Sequence, residues 1–159
     1  MSLKTAVLLV VVLALLVYVV NEGRPPLPSR PANPTADSGV PEVTWGTLRG
    51  LDRQNGRPTP EVAALDGQRV RIAGYVVPLD DDARILSEFL LVPWAGACVH
   101  TPPPPPNQMI YVKMTRGQNA QAALMDAVWV EGALFIGRRS SPYGPTFYAM
   151  TATGVTPYR

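Results

Sequence analysis

The longest unbroken apolar stretch runs from Ala6 to Val20, directly after Lys4 and Thr5. Its fifteen residues are few for a helix that must span a bilayer, and Leu3 extends the stretch if Lys4 snorkels. A cleaved signal peptide would end in small residues around a cleavage point, whereas Tyr18, Val19, Val20, Asn21 and Glu22 follow here. The pattern favours an uncleaved signal segment or membrane anchor over residues 1–22. It predicts a single pass through the cell membrane, with the rest of the chain facing the periplasm or cell exterior. Residues 23–42 then lose almost all apolar content and carry Pro25, Pro26, Pro28, Pro31, Pro34 and Pro41. Such a segment cannot bury enough surface to fold and reads as a stiff linker, some tens of Å long at about 3 Å per residue.

From residue 43 to 159 the pattern becomes that of one folded domain. Thr59, Pro60 and Glu61 place a capping threonine before a proline at the first helical position, predicting a short helix that ends near Asp66 and Gly67. Val70, Ile72, Gly74 and Val76 alternate with Arg69, Arg71, Ala73 and Tyr75, the period of a half-buried strand that Pro78 stops. Further strands are predicted over Ile85 to Val92, Met109 to Met114, Val128 to Ile136 and Thr146 to Val155, with a hairpin turn at Tyr143, Gly144 and Pro145. Alanines and Leu124 at helical spacing predict a second short helix within Gly117 to Met125. The expectation is therefore a mainly all-β domain. Its form is a small OB-fold-like, five-stranded Greek-key barrel, with one short helix before strand 1 and another between strands 3 and 4. Gly74 and Gly132 suit strongly bent barrel strands, or mark ordinary bulges.

Charge narrows the partners. The formal net charge is +2, and from Val43 onward eleven Lys and Arg face nine Asp and Glu. No clustered basic face follows from that, so no nucleic acid partner is expected. With one cysteine, Cys98, an intrachain disulfide is impossible and stability must come from the core.

One stretch looks chemical. Val92, Pro93, Trp94, Ala95, Gly96, Ala97, Cys98, Val99, His100 and Thr101 lead into Pro102, Pro103, Pro104, Pro105 and Pro106, then Asn107 and Gln108. The only cysteine and the only histidine lie two positions apart, and in extended backbone such residues project to the same side. Thiolate and imidazole are preferred zinc ligands and are soft enough for copper. Zinc is thus the candidate cofactor. Two ligands do not complete a site, so Asp80, Asp81, Asp82, Glu88, a second molecule or a transport partner would have to supply the rest. The competing reading makes Cys98 a small buried hydrophobe, His100 a hydrogen-bonded loop residue and Asp80 to Asp82 a solvated turn. A third reading makes Cys98 a nucleophile or redox sensor activated by His100, but no second cysteine or histidine supports it. The proline run is a rigid rod of about 15 Å that donates no N–H, and with Trp94, Asn107 and Gln108 it is the candidate contact surface for a partner.

At these residues the chain resembles the DUF3299 family of bacterial periplasmic proteins and lipoproteins of unknown function. The likeness rests on Val92-Pro93-Trp94, on Gly96-Ala97-Cys98-Val99-His100 and on Pro102 to Gln108. Gly74-Tyr75 with Pro78-Leu79, and Val128-Trp129-Val130 with Gly132, extend it over about Trp45 to Tyr158. No lipobox cysteine follows the apolar run, which sets this chain apart from lipoprotein members. The resemblance implies a non-enzymatic accessory role in metal handling, because some members stand beside ABC-type permeases and zinc-linked transport genes. An ABC-type permease or metal-binding protein is then the expected partner, beside the membrane. A structural interaction module without metal is the alternative.

Overall fold

The computed structural model describes residues 39–79, 84–96 and 103–158. The expected anchor and nearly all of the expected linker lie outside them. Among the described residues no helix is long and apolar enough to cross a membrane.

Among the described residues ten elements follow in order: helices α1 (Trp45–Leu48) and α2 (Pro60–Ala63), strands β1 (Arg69–Pro78), β2 (Ile85–Leu86) and β3 (Glu88–Val92), a 3-10 turn (Pro106–Gln108), then β4 (Ile110–Met114), β5 (Ala120–Gln121), β6 (Ala127–Ser141) and β7 (Gly144–Pro157). Five strands close into a barrel in the order β1-β3-β4-β7-β6, and β6 returns to pair with β1. Every pair in the barrel is antiparallel except β4 with β7. The fold is mainly β, as the alternation predicts, and its strand order is compatible with the OB-like barrel expected.

Period-2 alternation sorts each strand into an inner and an outer face. Val70, Ile72 and Val76 of β1, Phe89 and Leu91 of β3, Ile110 and Val112 of β4, and Tyr148 and Met150 of β7 share one buried interior. The helices pack into the same core. Thr59 caps α2 as the sequence predicts, accepting from the Val62 N–H at 3.4 Å with Pro60 in the first turn. Thr44 caps α1 in the same way and thereby buries Trp45 and Leu48. The Trp45 indole donates to the Ala73 carbonyl at 2.7 Å and the Tyr148 hydroxyl to the Leu48 carbonyl at 2.8 Å, so the entry segment is bonded to the barrel it plugs.

The two strand glycines answer different needs. A Cβ on Gly74 would stand 2.7 Å from the Leu91 side chain and 2.9 Å from the Val92 carbonyl oxygen, so β1 and β3 approach too closely there for any side chain. Gly132 lies at a register shift between β6 and β7, where a Cβ would run into the Thr151 carbonyl and the Ala152 Cα.

Two features depart from the sequence reading. No helix occupies Gly117 to Met125: Ala120 and Gln121 form β5 against Ile85 and Leu86, and both Ala120 and Ala122 turn into the core. Helix propensity lost to tertiary packing, because the extended chain can bury positions 120 and 122 together while Leu124 stays 57% exposed. The expected second strand is broken at Ser87, whose carbonyl accepts from the Met114 N–H at 2.8 Å, and only its second half joins the barrel. The backbone on either side of Glu42 also bonds to β1. Pro41 accepts from Arg71 N–H and Val43 donates to the Arg71 carbonyl, both at 2.9 Å, covering the half of β1 that β3 does not reach.

Candidate functional site

The segment between β3 and the 3-10 turn leaves the barrel on its outer face. There Val77, Leu90, Val92 and Met109 form a second apolar cluster, against which Tyr75, Leu79, Trp94, Tyr111, Met125 and Tyr143 pack. These are the outward phases of β1, β3 and β4. Val92 and Pro93 are buried, and Trp94 is half-buried with its ring in the cluster. Gly96 turns with φ +90°, which favours glycine, and its N–H points to the Met125 sulfur at 3.2 Å. Met125 is held in turn by its own N–H on the Val76 carbonyl at 2.8 Å.

The far end is fixed by hydrogen bonds. Pro104 is buried, and Pro105 has the extended φ −61°, ψ 154° of polyproline, as a proline run dictates. Gln108 N–H then closes the 3-10 turn on the Pro105 carbonyl at 2.7 Å. Asn107 donates to the Leu51 carbonyl at 2.8 Å, and the Gln108 amide donates to the carbonyls of Trp45 at 3.3 Å and Asn107 at 2.7 Å. Arg49 completes the set by donating to the Gln108 side-chain oxygen at 3.4 Å. Asn107 and Gln108 are only 4% and 3% exposed, so these two candidates for partner contact face inward and fasten the 3-10 turn to α1 and to Leu51 beyond it. Pro103 is exposed, and Pro105 and Pro106 are half-buried.

Cys98, His100, Pro102 and the three aspartates Asp80, Asp81 and Asp82 lie outside the described residues. Glu88 is described, and its carboxylate is engaged: it accepts from the Tyr111 hydroxyl and, at 2.6 Å, from the Lys113 ammonium. The Lys113 hydrogen bond, followed by that from Tyr111, holds Glu88 below the usual carboxylate range. Tyr111 moves the other way, pushed up to about 12 by its bond to Glu88 and then by burial. A ligand metal would have to displace both partners from Glu88. Among the described residues no three His, Cys, Asp or Glu side chains gather to hold a metal.

Beside this cluster runs an outer-face groove lined by Tyr111, Lys113, Phe135, Arg139 and Thr151. Sequence reasoning assigned it no role. Its one signal was Phe135, an aromatic on the outward phase of β6 between inward Leu134 and Ile136.

Fold and flanking residues together define a class: a closed five-stranded β-barrel with Trp94 packed on its outer face and Asn107 and Gln108 buried against the entry segment. The chain belongs to the DUF3299 family of proteins of unknown function, which matches residues 47–157. The crystal structure of a DUF3299 family protein from Pseudomonas aeruginosa PAO1 is similar at 34% identity and a TM-score of 0.60, covering 76% of this chain and 98% of that one. A putative aspartyl-tRNA synthetase from Leishmania major Friedlin aligns at 9% identity and a TM-score of 0.46, over 82% of this chain and 23% of that one. That likeness is too weak to carry an argument. No curated protein matches the chain.

Proposed function

We propose that this protein is a non-enzymatic binding module of the cell envelope. Held to the membrane by its N-terminal segment, it uses Cys98 and His100 to take up or pass on a soft metal such as zinc, in company with an ABC-type permease. The observation that carries the reading is the frame around the loop. Trp94 and Gly96 on one side, and Asn107 and Gln108 on the other, fix the ends of the stretch that holds the only cysteine and the only histidine of the chain. A loop that served only to connect β3 to β4 needs no buried amides at its exit. A pair of soft ligands in one loop suits transfer better than storage, because positions that the protein does not fill stay open to a donor or acceptor.

The test is a zinc titration of the full chain in detergent, beside Cys98→Ala and His100→Ala. Stoichiometric binding that weakens in both variants is expected. No binding at micromolar zinc overturns the reading and leaves the loop a scaffold for protein contact.

A further inference from the structure

Ala149 of β7 pairs with Tyr111 of β4 on one side and with Phe135 of β6 on the other, so three residues stand in one rung across the outer face of the barrel. Directly opposed residues share a face, and strands lie about 4.8 Å apart, so the stems of Tyr111 and Phe135 stand roughly 10 Å from each other with only a methyl group between them. Aromatic rings meet at centroid distances of about 4.5–7 Å, which leaves room for one flat ring between the two and no more. Phe135 is 43% exposed, so one face of its ring is open to a ligand.

The slot is held open. Glu88 accepts from the Tyr111 hydroxyl and from Lys113, so the Tyr111 ring is positioned before any ligand arrives, and less ordering remains to be done on binding. The groove encloses about 540 Å³, the size of small-molecule sites. Its charges are unequal. Lys113 is neutralised by Glu88, whereas Arg139, which also lines the groove, makes none of the ion pairs found among the described residues. Its charge is felt at the Tyr111 hydroxyl. Ser140 adds a hydroxyl beside it.

We propose that this groove is a binding site for a small planar ring carrying an anionic substituent, with the ring between Tyr111 and Phe135 and the anion on Arg139. A carboxylate and a phosphate both satisfy a free guanidinium fork, so the shared requirement is an oxyanion next to a flat ring. The anion lies at the Arg139 end because Lys113 at the other is already paired with Glu88. This site makes no use of Cys98 or His100 and stands apart from the metal reading.

The full chain, isotope-labelled in detergent micelles, is titrated with 4-hydroxybenzoate, phenyl phosphate and the neutral 4-hydroxybenzamide while amide resonances are followed. The expected result is saturable movement of Phe135, Ala149 and Arg139 with at least one of the two anions, the one that binds more tightly naming the oxyanion. The benzamide should bind about tenfold more weakly, and Arg139→Gln should weaken the anion by a similar factor. Phe135→Ala should abolish saturation. Both replaced side chains are exposed, and unchanged resonances elsewhere confirm the fold. No movement with either anion, or equal binding of anion and amide, overturns the proposal.

Discussion

Replacing Gly132 by alanine adds one methyl group at the point where β6 passes closest to β7. On a strand glycine with open space the change is mildly favourable, by roughly 0.5–1 kcal/mol, because alanine loses less backbone freedom on folding. Gly137, whose added Cβ would meet nothing within 4 Å, supplies that reference in the same strand. At Gly132 the new atom collides with the Thr151 carbonyl oxygen and the Ala152 Cα. Both are backbone, so no side-chain rotation relieves the contact and the two strands must part. Overpacking of this kind costs about 1–3 kcal/mol, and losing one or two ladder hydrogen bonds adds about 1 kcal/mol each. The expected loss is thus about 2–5 kcal/mol, a large share of the roughly 6–17 kcal/mol open to a domain of this size. Urea unfolding of the chain from Gly39 onward, followed by fluorescence of the buried Trp45 and Trp129, measures it directly. Gly132→Ala should shift the midpoint strongly downward and Gly137→Ala should leave it level or raise it. A Gly132→Ala midpoint equal to that of the parent would refute the close approach of the two strands.

Other outcomes follow from the hydrogen bonds of the outer face and the plug. Glu88 is depressed when folded, so its contribution is complete above its unfolded value and is lost as pH falls through the lower folded one. Glu88→Gln should therefore flatten the acid side of the stability-pH curve, and an unchanged curve would remove the Lys113 and Tyr111 pairing from the argument. Tyr111 is raised to about 12, so the phenol persists above the usual tyrosine range and its contribution is lost as pH climbs past about 12. Ultraviolet titration should show two late tyrosines, Tyr111 and the buried Tyr148, of which only Tyr111 moves to lower pH in Glu88→Gln. Tyr148→Phe strands the Leu48 carbonyl without its donor and should destabilise by about 1–3 kcal/mol in the same urea assay, with a neutral result arguing that water replaces the hydroxyl.

The barrel strands were legible as apolar runs of strand length, most plainly β1. Val70, Ile72 and Val76 point inward while Arg69 and Tyr75 point out, and no other element satisfies that period. Helix α2 was legible from Thr59 and Pro60, a cap and a first-turn residue whose conformations are fixed locally. The segment around Ala120 was not, because alanine is a good helix former and only the long-range pairing of Ala120 with Leu86 decides against it. Nor could local signals find the Tyr111, Ala149 and Phe135 rung, which joins three strands through register alone. For Asn107 and Gln108 the sequence gives polarity but not direction: amides after a proline run look like surface, yet here they serve as buried donors to the carbonyls of Leu51 and Trp45.

The parallel pairing of β4 with β7 bears on the order in which the chain assembles. β7 is the last strand, and it supplies the neighbour of both β4 and β6. A chain growing from its N-terminus can form α2, the β1–β3–β4 meander and then the pairing of β6 with β1, but the ring stays open until β7, from Gly144 on, joins β4 to β6. Until then β4 presents a bare edge and the outer faces of Tyr111 and Leu90 have only part of their cover. Pairings so distant in sequence also fold slowly, on the millisecond to second scale. The interval between emergence of β4 and arrival of β7 is thus when this chain is most exposed to wrong partners, and a chain truncated before Gly144 should aggregate rather than form a smaller barrel.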